Sequence, residues 1–424
     1  MRLSVIVCVM ADKTKKKKKE RPFKPISWLY RLGLYLFGLY LRIFRGVHID
    51  KSEIKDLKAP YLVIANHESM VDFCVVANIF MPEVLCFVVS THFFRDPVMS
   101  IGLKVGDCLP KKQFFPDLSA VRKMLRVIRS GKSVAIFPEG QTCFSGQSND
   151  VDPAIGKLAK MMGVPVVNVQ LRGNFLTAPK YSHSLTPSYA EAKASVLLTA
   201  EQVASMTDAE IAEKISEGIA FDEYEWERTV MKKSRRPRSL EGLENILFLC
   251  PSCGKEHTMT ASGRDLYCTD CGYRVSTDDY GFLHDADGSP ARFDTPPKWY
   301  NWQYEELQRR LDDGTLLPFT VKGRFMESAK EDFSEHGYRC HGEGTATLSA
   351  DGLVLDVTRD GAPYTYKAVP TIVFNLTHSA DLWCFDLPGN EKEDRDFAFD
   401  PEDSRDMMKV IQTWTLLRRN LPSE

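Results

Sequence analysis

A chain of 424 residues exceeds one ordinary domain and points to two or three. With 43% hydrophobic and 26% charged residues it has the material for real cores, which excludes wholesale disorder. Its 55 basic and 57 acidic residues net −2, which argues against a chain built as a whole for nucleic acid. That average hides a segment of +9 at residues 11–45, so the rest carries −11.

The first ten residues, MRLSVIVCVM, hold a short apolar stretch with no small-residue cleavage site, and Met10 opens MADKTKKKKKERP. The expectation is a start at Met10 rather than a leader peptide. Residues 1–24 read as a basic tail carrying Lys13, five consecutive lysines at 15–19, Arg21 and Lys24. Residues 27–44 (SWLYRLGLYLFGLYLRIF) follow, interrupted only by Arg31 and Arg42. The apolar run between those arginines covers about 15 Å as a helix, half of a hydrocarbon core, so a full span is not expected. A helix lying in the headgroup region, with Trp28, Tyr30, Tyr35 and Tyr40 near the interface and the lysines drawn to anionic lipids, fits better than a buried core helix.

Residues 60–66 (PYLVIAN) form a short apolar run and lead straight into His67-Glu-Ser-Met-Val-Asp72. Further apolar runs at 84–90, 133–137 and 164–171 read as strands, and residues 117–130 repeat Leu118, Val121, Leu125 and Ile128 at helical spacing before Gly131. Strands alternating with helices predict an α/β domain with a largely parallel sheet, whose ligands gather where strands end. Two polar motifs fall at such ends, the His67–Asp72 segment and Phe137-Pro-Glu-Gly140.

A histidine past a strand end can act as a general base, and a carboxylate five residues on can fix its tautomer. This is the His–Asp half of a triad; the missing hydroxyl is either the substrate's own or, less simply, Ser69 inside the motif. A buried histidine hydrogen-bonded to Asp72 with no catalytic role fits the same spacing.

Asn66-His-Glu-Ser-Met-Val-Asp72, Phe137-Pro-Glu-Gly140 and Val164-Pro-Val166 stand in the order of the glycerolipid acyltransferase blocks. The chain resembles the 1-acylglycerol-3-phosphate acyltransferase (lysophosphatidic acid acyltransferase) family over roughly residues 25–220. The resemblance implies transfer of a fatty acyl group from acyl-CoA or acyl carrier protein to a lyso-glycerolipid hydroxyl in phospholipid synthesis. His67 would be the base and Asp72 its partner. Glu139 and Gly140 would help hold the acceptor's phosphate or glycerol, with backbone N–H groups near Gly140 as an anion nest. Lys111 and Lys112 stand where the family carries an arginine, and lysine offers charge without bidentate geometry. After Gly140 the chain reads Gln141-Thr142-Cys143, so a second family arginine is absent. Lys157, Lys160, Arg172 or Lys180 would compensate, or the acceptor is a different or non-phosphorylated alcohol.

Eleven cysteines do not make a disulfide scaffold: seven are single, and Cys74, Cys86 and Cys384 sit in apolar runs, a usage suited to a reducing cytosol. The other four form Cys250-x-x-Cys253 and Cys268-x-x-Cys271, with 14 residues between the pairs. That spacing predicts a structural zinc ribbon with four thiolate ligands and His257 a bystander. Few basic–aromatic alternations surround it, so no nucleic-acid partner is expected despite Lys232, Lys233, Arg235, Arg236 and Arg238 upstream.

Thr207-Asp-Ala-Glu210 is a capping-box pattern opening a helix towards Arg228, and residues 235–239 read as a linker. Beyond the ribbon a helix is predicted over 296–311. Strands are predicted at 319–326, 344–348, 353–358, 364–369, 372–376, 382–387 and 395–399, and a closing helix over 403–420. Seven strands and one helix resemble the pleckstrin-homology superfold on architecture alone.

The expected organisation is therefore a basic tail (1–24) and an α/β acyltransferase domain (25–235) with an N-terminal membrane-associated helix. A small zinc ribbon (245–280) and a C-terminal α+β PH-like domain (296–424) follow. The protein would sit on the cytoplasmic face of the cell membrane, peripheral or monotopic. A non-catalytic lipid-binding or scaffold protein is the rival reading.

Overall fold

The computed structural model describes residues 25–41, 46–94, 97–112, 117–182, 185–328, 338–378, 384–390 and 395–421. The basic run at 13–24, both candidate start methionines and Arg42 lie outside them.

The N-terminal unit runs α1 (Ser27–Tyr40), β1 (Val47–Asp50), β2 (Leu62–Ala65), α2 (Asp72–Ile79), β3 (Cys86–Ser90), α3 (Pro97–Val105), β4 (Leu109–Lys111) and α4 (Leu118–Arg129). It continues through β5 (Val134–Ile136), α5 (Ala154–Met162), β6 (Val166–Arg172), α6 (Asn174–Thr177), β7 (Ala190–Leu198), α7 (Ala200–Ser205), α8 (Asp208–Ile219) and α9 (Glu223–Val230). The sheet order is β1-β7-β6-β2-β5-β3-β4. Every pairing is parallel except β6 with β7, as the alternation of strands and helices predicts. Strand β7 is unpredicted because the first half of its apolar face is alanine: Ala190, Ala192 and Ala194 are buried while Glu191 and Lys193 alternate with them, and larger apolar side chains reach the core only at its end, from Val196 to Leu198.

Successive residues of β2 feed two cores. Val63 and Ala65 pack with α1 and α2, whereas Leu62 and Ile64 pack with α4, α5 and α8. Helices α5 and α8 approach so closely that a Cβ at Gly156 would stand 1.9 Å from the Asp208 carbonyl oxygen, which explains a glycine inside a helix. The capping box at Thr207 and Glu210 forms as predicted, but the helix stops at Ile219. Asp222 caps a new one by accepting from the Tyr224 and Glu225 N–H groups.

No helix among the described residues is long and apolar enough to cross a membrane. Helix α1 instead packs on α2 through Leu34 and Gly38, where Asn78 Nδ2 donates to the Leu34 carbonyl at 3.2 Å. Tyr30 turns inward beside Gly106 and Cys108, so it leaves the predicted interfacial set. Trp28, Tyr35 and Tyr40 remain exposed.

The four-cysteine segment forms an antiparallel sheet of β8 (Met259–Ser262), β9 (Asp265–Cys268), β10 (Arg274–Thr277) and β11 (Leu283–Asp285), followed by α10 (Pro296–Asp312). The C-terminal strands are β12 (Phe319–Ser328), β13 (Tyr338–Ser349), β14 (Gly352–Arg359), β15 (Ala362–Ala368), β16 (Thr377–His378), β17 (Phe385–Asn390) and β18 (Arg395–Pro401), closed by α11 (Arg405–Arg419). Their order is β15-β14-β13-β12-β18-β17-β16. The strand predicted at 372–376 is instead a turn, in which the Ile372 and Val373 N–H groups both donate to the Val369 carbonyl.

The units are not beads on a string. One apolar cluster runs from Phe144 and Phe175 through Phe248 and Trp299 to Phe325 and Trp414. The predicted linker is part of that joint: Arg238 is buried and donates to the Leu176 carbonyl at 2.6 Å and to Ser188 Oγ at 2.9 Å. Arg419 at the end of α11 donates to both oxygens of Asp150, at 2.9 and 2.7 Å, in the loop after β5.

Candidate functional site

The chain leaves β2 at Ala65, and Asn66 completes the strand with its side chain. Its Oδ1 accepts the Leu171 N–H at 2.7 Å and its Nδ2 donates to the Leu171 carbonyl at 2.9 Å, tying the end of β2 to β6. His67 follows at the carboxyl end of the parallel strands. Its backbone N–H donates to Glu139 Oε1 at 2.7 Å and its ring stacks on Phe137 with centroids 4.3 Å apart, so the motif after β5 fixes both backbone and ring.

His67 Nδ1 lies 3.0 Å from Asp72 Oδ2. A carboxylate only accepts, so the proton sits on Nδ1 and the Nε2 lone pair is available. Nε2 carries no hydrogen bond among the described residues, and the side chain is 20% exposed. Asp72 is fully buried at the start of α2 and takes four further donors. These are the Glu68 and Ser69 N–H groups at 2.6 and 2.8 Å, Ser69 Oγ at 2.9 Å, and Asn174 Nδ2 at 2.8 Å. Ser69 is therefore a buried donor to Asp72, which removes it as a nucleophile.

Behind Asp72 lie two more buried carboxyl groups. Glu68 accepts from Asn66 Nδ2 and the Phe175 N–H; Glu223 accepts from the Gly173 and Leu176 N–H groups. Burial, then Glu223 and Asp72, push the Glu68 carboxyl well above the usual range, so it keeps a proton and donates it towards Glu223.

The remaining predicted site residues are spread along the same sheet edge. Both Glu139 oxygens are occupied, Oε1 by His67 and Oε2 by the Asn149 N–H at 2.7 Å and Asn149 Nδ2 at 3.1 Å; burial pushes its carboxyl up to about 8. Glu139 thus faces inward and positions His67, in place of the expected contact with acceptor. Gly140 is exposed at φ +75°, in a turn that favours glycine, and its own N–H goes to the Phe137 carbonyl. Lys111 ends β4, three strands from β2 and so roughly 14 Å away across the sheet. Desolvation holds its ammonium below the ordinary lysine range, against the pull of Asp152 and Asp117. The Lys112 backbone N–H donates to Asp117 Oδ2. Arg172, at the end of β6, lies 3.6 Å from Glu191 and does not join His67. Lys180 is turned into the joint with the C-terminal unit, over the Phe144 ring, where burial lowers it to about 7.

The four cysteines lie with all sulfurs within 4.8 Å of one another. Cys250 and Cys271 are 3.7 Å apart, Cys253 and Cys268 3.9 Å. Tetrahedral bonds of about 2.3 Å to a central ion would set such sulfurs about 3.8 Å apart, so the donor set fits a tetrathiolate metal site. Gly254 and Gly272, at φ +71° and +78°, close the two knuckles.

Residues 46–172 match the acyltransferase family model. A probable 1-acyl-sn-glycerol-3-phosphate acyltransferase of Mycoplasma genitalium is 27% identical over 183 residues, covering 41% of this chain and 65% of that protein. The chloroplastic 1-acyl-sn-glycerol-3-phosphate acyltransferase BAT2 of Brassica napus is 24% identical over 30% of this chain and 37% of its own length. Among solved structures, the 1-acyl-sn-glycerophosphate acyltransferase PlsC of Thermotoga maritima aligns with 46% of this chain and 75% of its own at 18% identity and a TM-score of 0.38. Residues 46–172 are thus similar to an acyltransferase-family domain, the chain spans less than two thirds of the length of these two relatives, and the ribbon and β-rich half lie outside the match.

Proposed function

We propose that the protein transfers a fatty acyl group from a thioester donor, acyl-CoA or acyl carrier protein, to the hydroxyl of a lyso-glycerolipid, foremost 1-acylglycerol-3-phosphate. The observation that carries this reading is the His67–Asp72 pair, with Nδ1 held at 3.0 Å and Nε2 left open. Nε2 takes the proton of the acceptor hydroxyl as its oxygen attacks the thioester carbonyl. Asp72 stabilises the imidazolium, the carbon–sulfur bond breaks, and the imidazolium returns the proton to the departing thiolate. The acceptor's own hydroxyl completes the triad and no acyl-enzyme forms. Lys111 and Lys112, at the same strand ends, are the basic groups for the acceptor's phosphate. An acceptor screen tests this: with one acyl chain on each donor, 1-acylglycerol-3-phosphate should be the best substrate. A preference for a neutral alcohol would detach the lysines from phosphate, and no transfer to any acceptor would favour a scaffold.

The same reading places the protein on the cytoplasmic face of a membrane, peripheral or monotopic. Trp28, Leu32, Tyr35, Leu36 and Leu39 on α1 keep between 46% and 68% of their surface in water, and Met70 and Phe73 are exposed beside the His67 motif. Removing the exposed half of five such side chains from water is worth about 5 kcal/mol, and each lysine near an anionic surface adds about 1 kcal/mol. The full chain should therefore sediment with phosphatidylserine vesicles and weakly with neutral ones. Replacing Trp28, Leu32 and Leu36 by serine should lower vesicle binding at least tenfold; unchanged binding would remove α1 from the interface.

The four cysteines are proposed to hold one structural zinc ion. The C-terminal strands and α11 are proposed as a PH-like module.

A further inference from the structure

Helix α4 buries Ala120, Met124, Val127 and Ile128; beyond Leu118 and Ser119 in its first turn its exposed residues are the cations Arg122 and Arg129, with Lys123 and Arg126 half-buried and Lys132 exposed just past its end. Arg122 and Arg129 stand seven residues apart on one face, with Lys132 beyond them, so the exposed cations form one stripe at least about 10 Å long. Like charges four residues apart, as at Arg122 and Arg126, cost helix stability. Other surface helices neutralise theirs, with Lys214–Glu217 on α8, Arg228–Glu225 on α9, and Arg309 and Arg310 around Glu306 on α10. Arg122, Arg129 and Lys132 enter no ion pair among the described residues, and all three are exposed. The helix dipole accounts for Arg126 and Arg129 in the last turn, but not for Arg122 and Lys123. Lys157 on the neighbouring α5 adds another exposed ammonium.

We propose that this face docks an acidic protein that carries the acyl group as a thioester. The inference rests on the acyltransferase reading and selects between its two donors. Two features favour a protein over the other polyanions. The membrane-facing candidate α1 packs on one face of the sheet and α4 on the other, so a bilayer lying against α1 leaves the α4 stripe pointing away from it. A helix surface is also convex, whereas a free nucleotide is held in a concave site; a row of cations on a convex face suits the complementary face of a protein. The charge would act mainly on encounter and register, and so on the Michaelis constant for donor.

The test uses the full chain and a triple variant, Arg122→Glu, Arg129→Glu and Lys132→Glu, which touches none of the residues around His67. Transfer of one acyl chain is followed from acyl carrier protein and from coenzyme A. The expected result is a KM for the carrier-borne donor raised at least tenfold, with the coenzyme A-borne donor unchanged and the wild-type advantage shrinking in high salt. Equal effects on both donors, or none on either, would overturn the proposal. If the triple variant folds poorly, the milder double variant Arg122→Gln with Lys132→Gln should give a smaller shift with the same donor selectivity. Calorimetric titration with unacylated carrier protein provides a readout independent of turnover: wild type binds and the variant does not. Should wild type transfer from neither donor, the acyltransferase reading fails while the titration still decides the docking. Absent carrier binding, or loss of phosphatidylserine vesicle binding in the variant instead, refutes it.

Discussion

Replacing His67 by alanine is expected to lower kcat/KM for acyl transfer by about a thousandfold, or roughly 4 kcal/mol of transition-state stabilisation. The chain should remain folded. The ring is partly exposed and stacks only on Phe137, and what ties this segment into the domain is the His67 backbone N–H to Glu139, which alanine retains. Asp72→Asn separates orientation from proton transfer. An asparagine accepts through one atom where Asp72 accepts through two, and its amide would oppose either the Glu68 and Ser69 N–H groups or Asn174. That variant should lose both activity and thermal stability, whereas His67→Ala should lose activity alone. The measurement is initial rate alongside melting temperature for the two proteins. Turnover like wild type in a folded His67→Ala would end the general-base reading.

The legibility of this site in the sequence follows how its parts are spaced. His67 and Asp72 lie five residues apart at a strand end, so one local pattern contains both the base and its partner. Glu68 and Ser69 stand in the same pattern, yet nothing local says that they turn inward to serve Asp72. Asn174 reaches Asp72 from about 100 residues further on, and Glu223 reaches Glu68 from about 150, brought there by the order of β2 and β6 and by the placement of α9. Glu139 shows the converse problem. Its motif marks it as important, but the direction of its side chain depends on Asn149 and the His67 backbone, which become neighbours only on folding. The fold behaves similarly. Strands with β-branched, wholly buried faces announce themselves, and β7, which opens on alanines alternating with Glu191 and Lys193, does not. The helix break at Ala220 is invisible to the capping box thirteen residues earlier, because Asp222 supplies an independent start. Lys180, suggested by its charge as a phosphate ligand, is claimed by the joint with the C-terminal unit, whose approach no local signal announces.

Removing the zinc proposed for the four-cysteine site is expected to unfold more than the ribbon. Four thiolate ligands would leave the proposed ion no open position for catalysis, so its contribution would be to folding; structural zinc in small modules is worth about 10–16 kcal/mol, comparable to the whole stability of an ordinary domain. The coupling runs through identified contacts. The Leu249 N–H, beside Cys250, donates to Gln303 Oε1, and the Leu249 carbonyl accepts from Trp299 Nε1, both on α10. Gln303 in turn donates to Gln412 on α11, and Glu256 between the knuckles pairs with Arg310 and Lys409. Helix α11 then ends on Arg419, which holds Asp150 next to the Asn149 that fastens Glu139. Elemental analysis should find about one zinc per chain in the native protein and less than about a tenth of that in Cys250→Ser or Cys268→Ser. Hydrogen exchange should show α10, α11 and the loop at 141–150 losing protection together in those variants, with acyl transfer falling at least tenfold although His67 and Asp72 are intact. A chain that binds no zinc, or that keeps its protection and activity after chelation, would show that the cysteines are packed as thiols and that the ribbon stands on its apolar contacts alone.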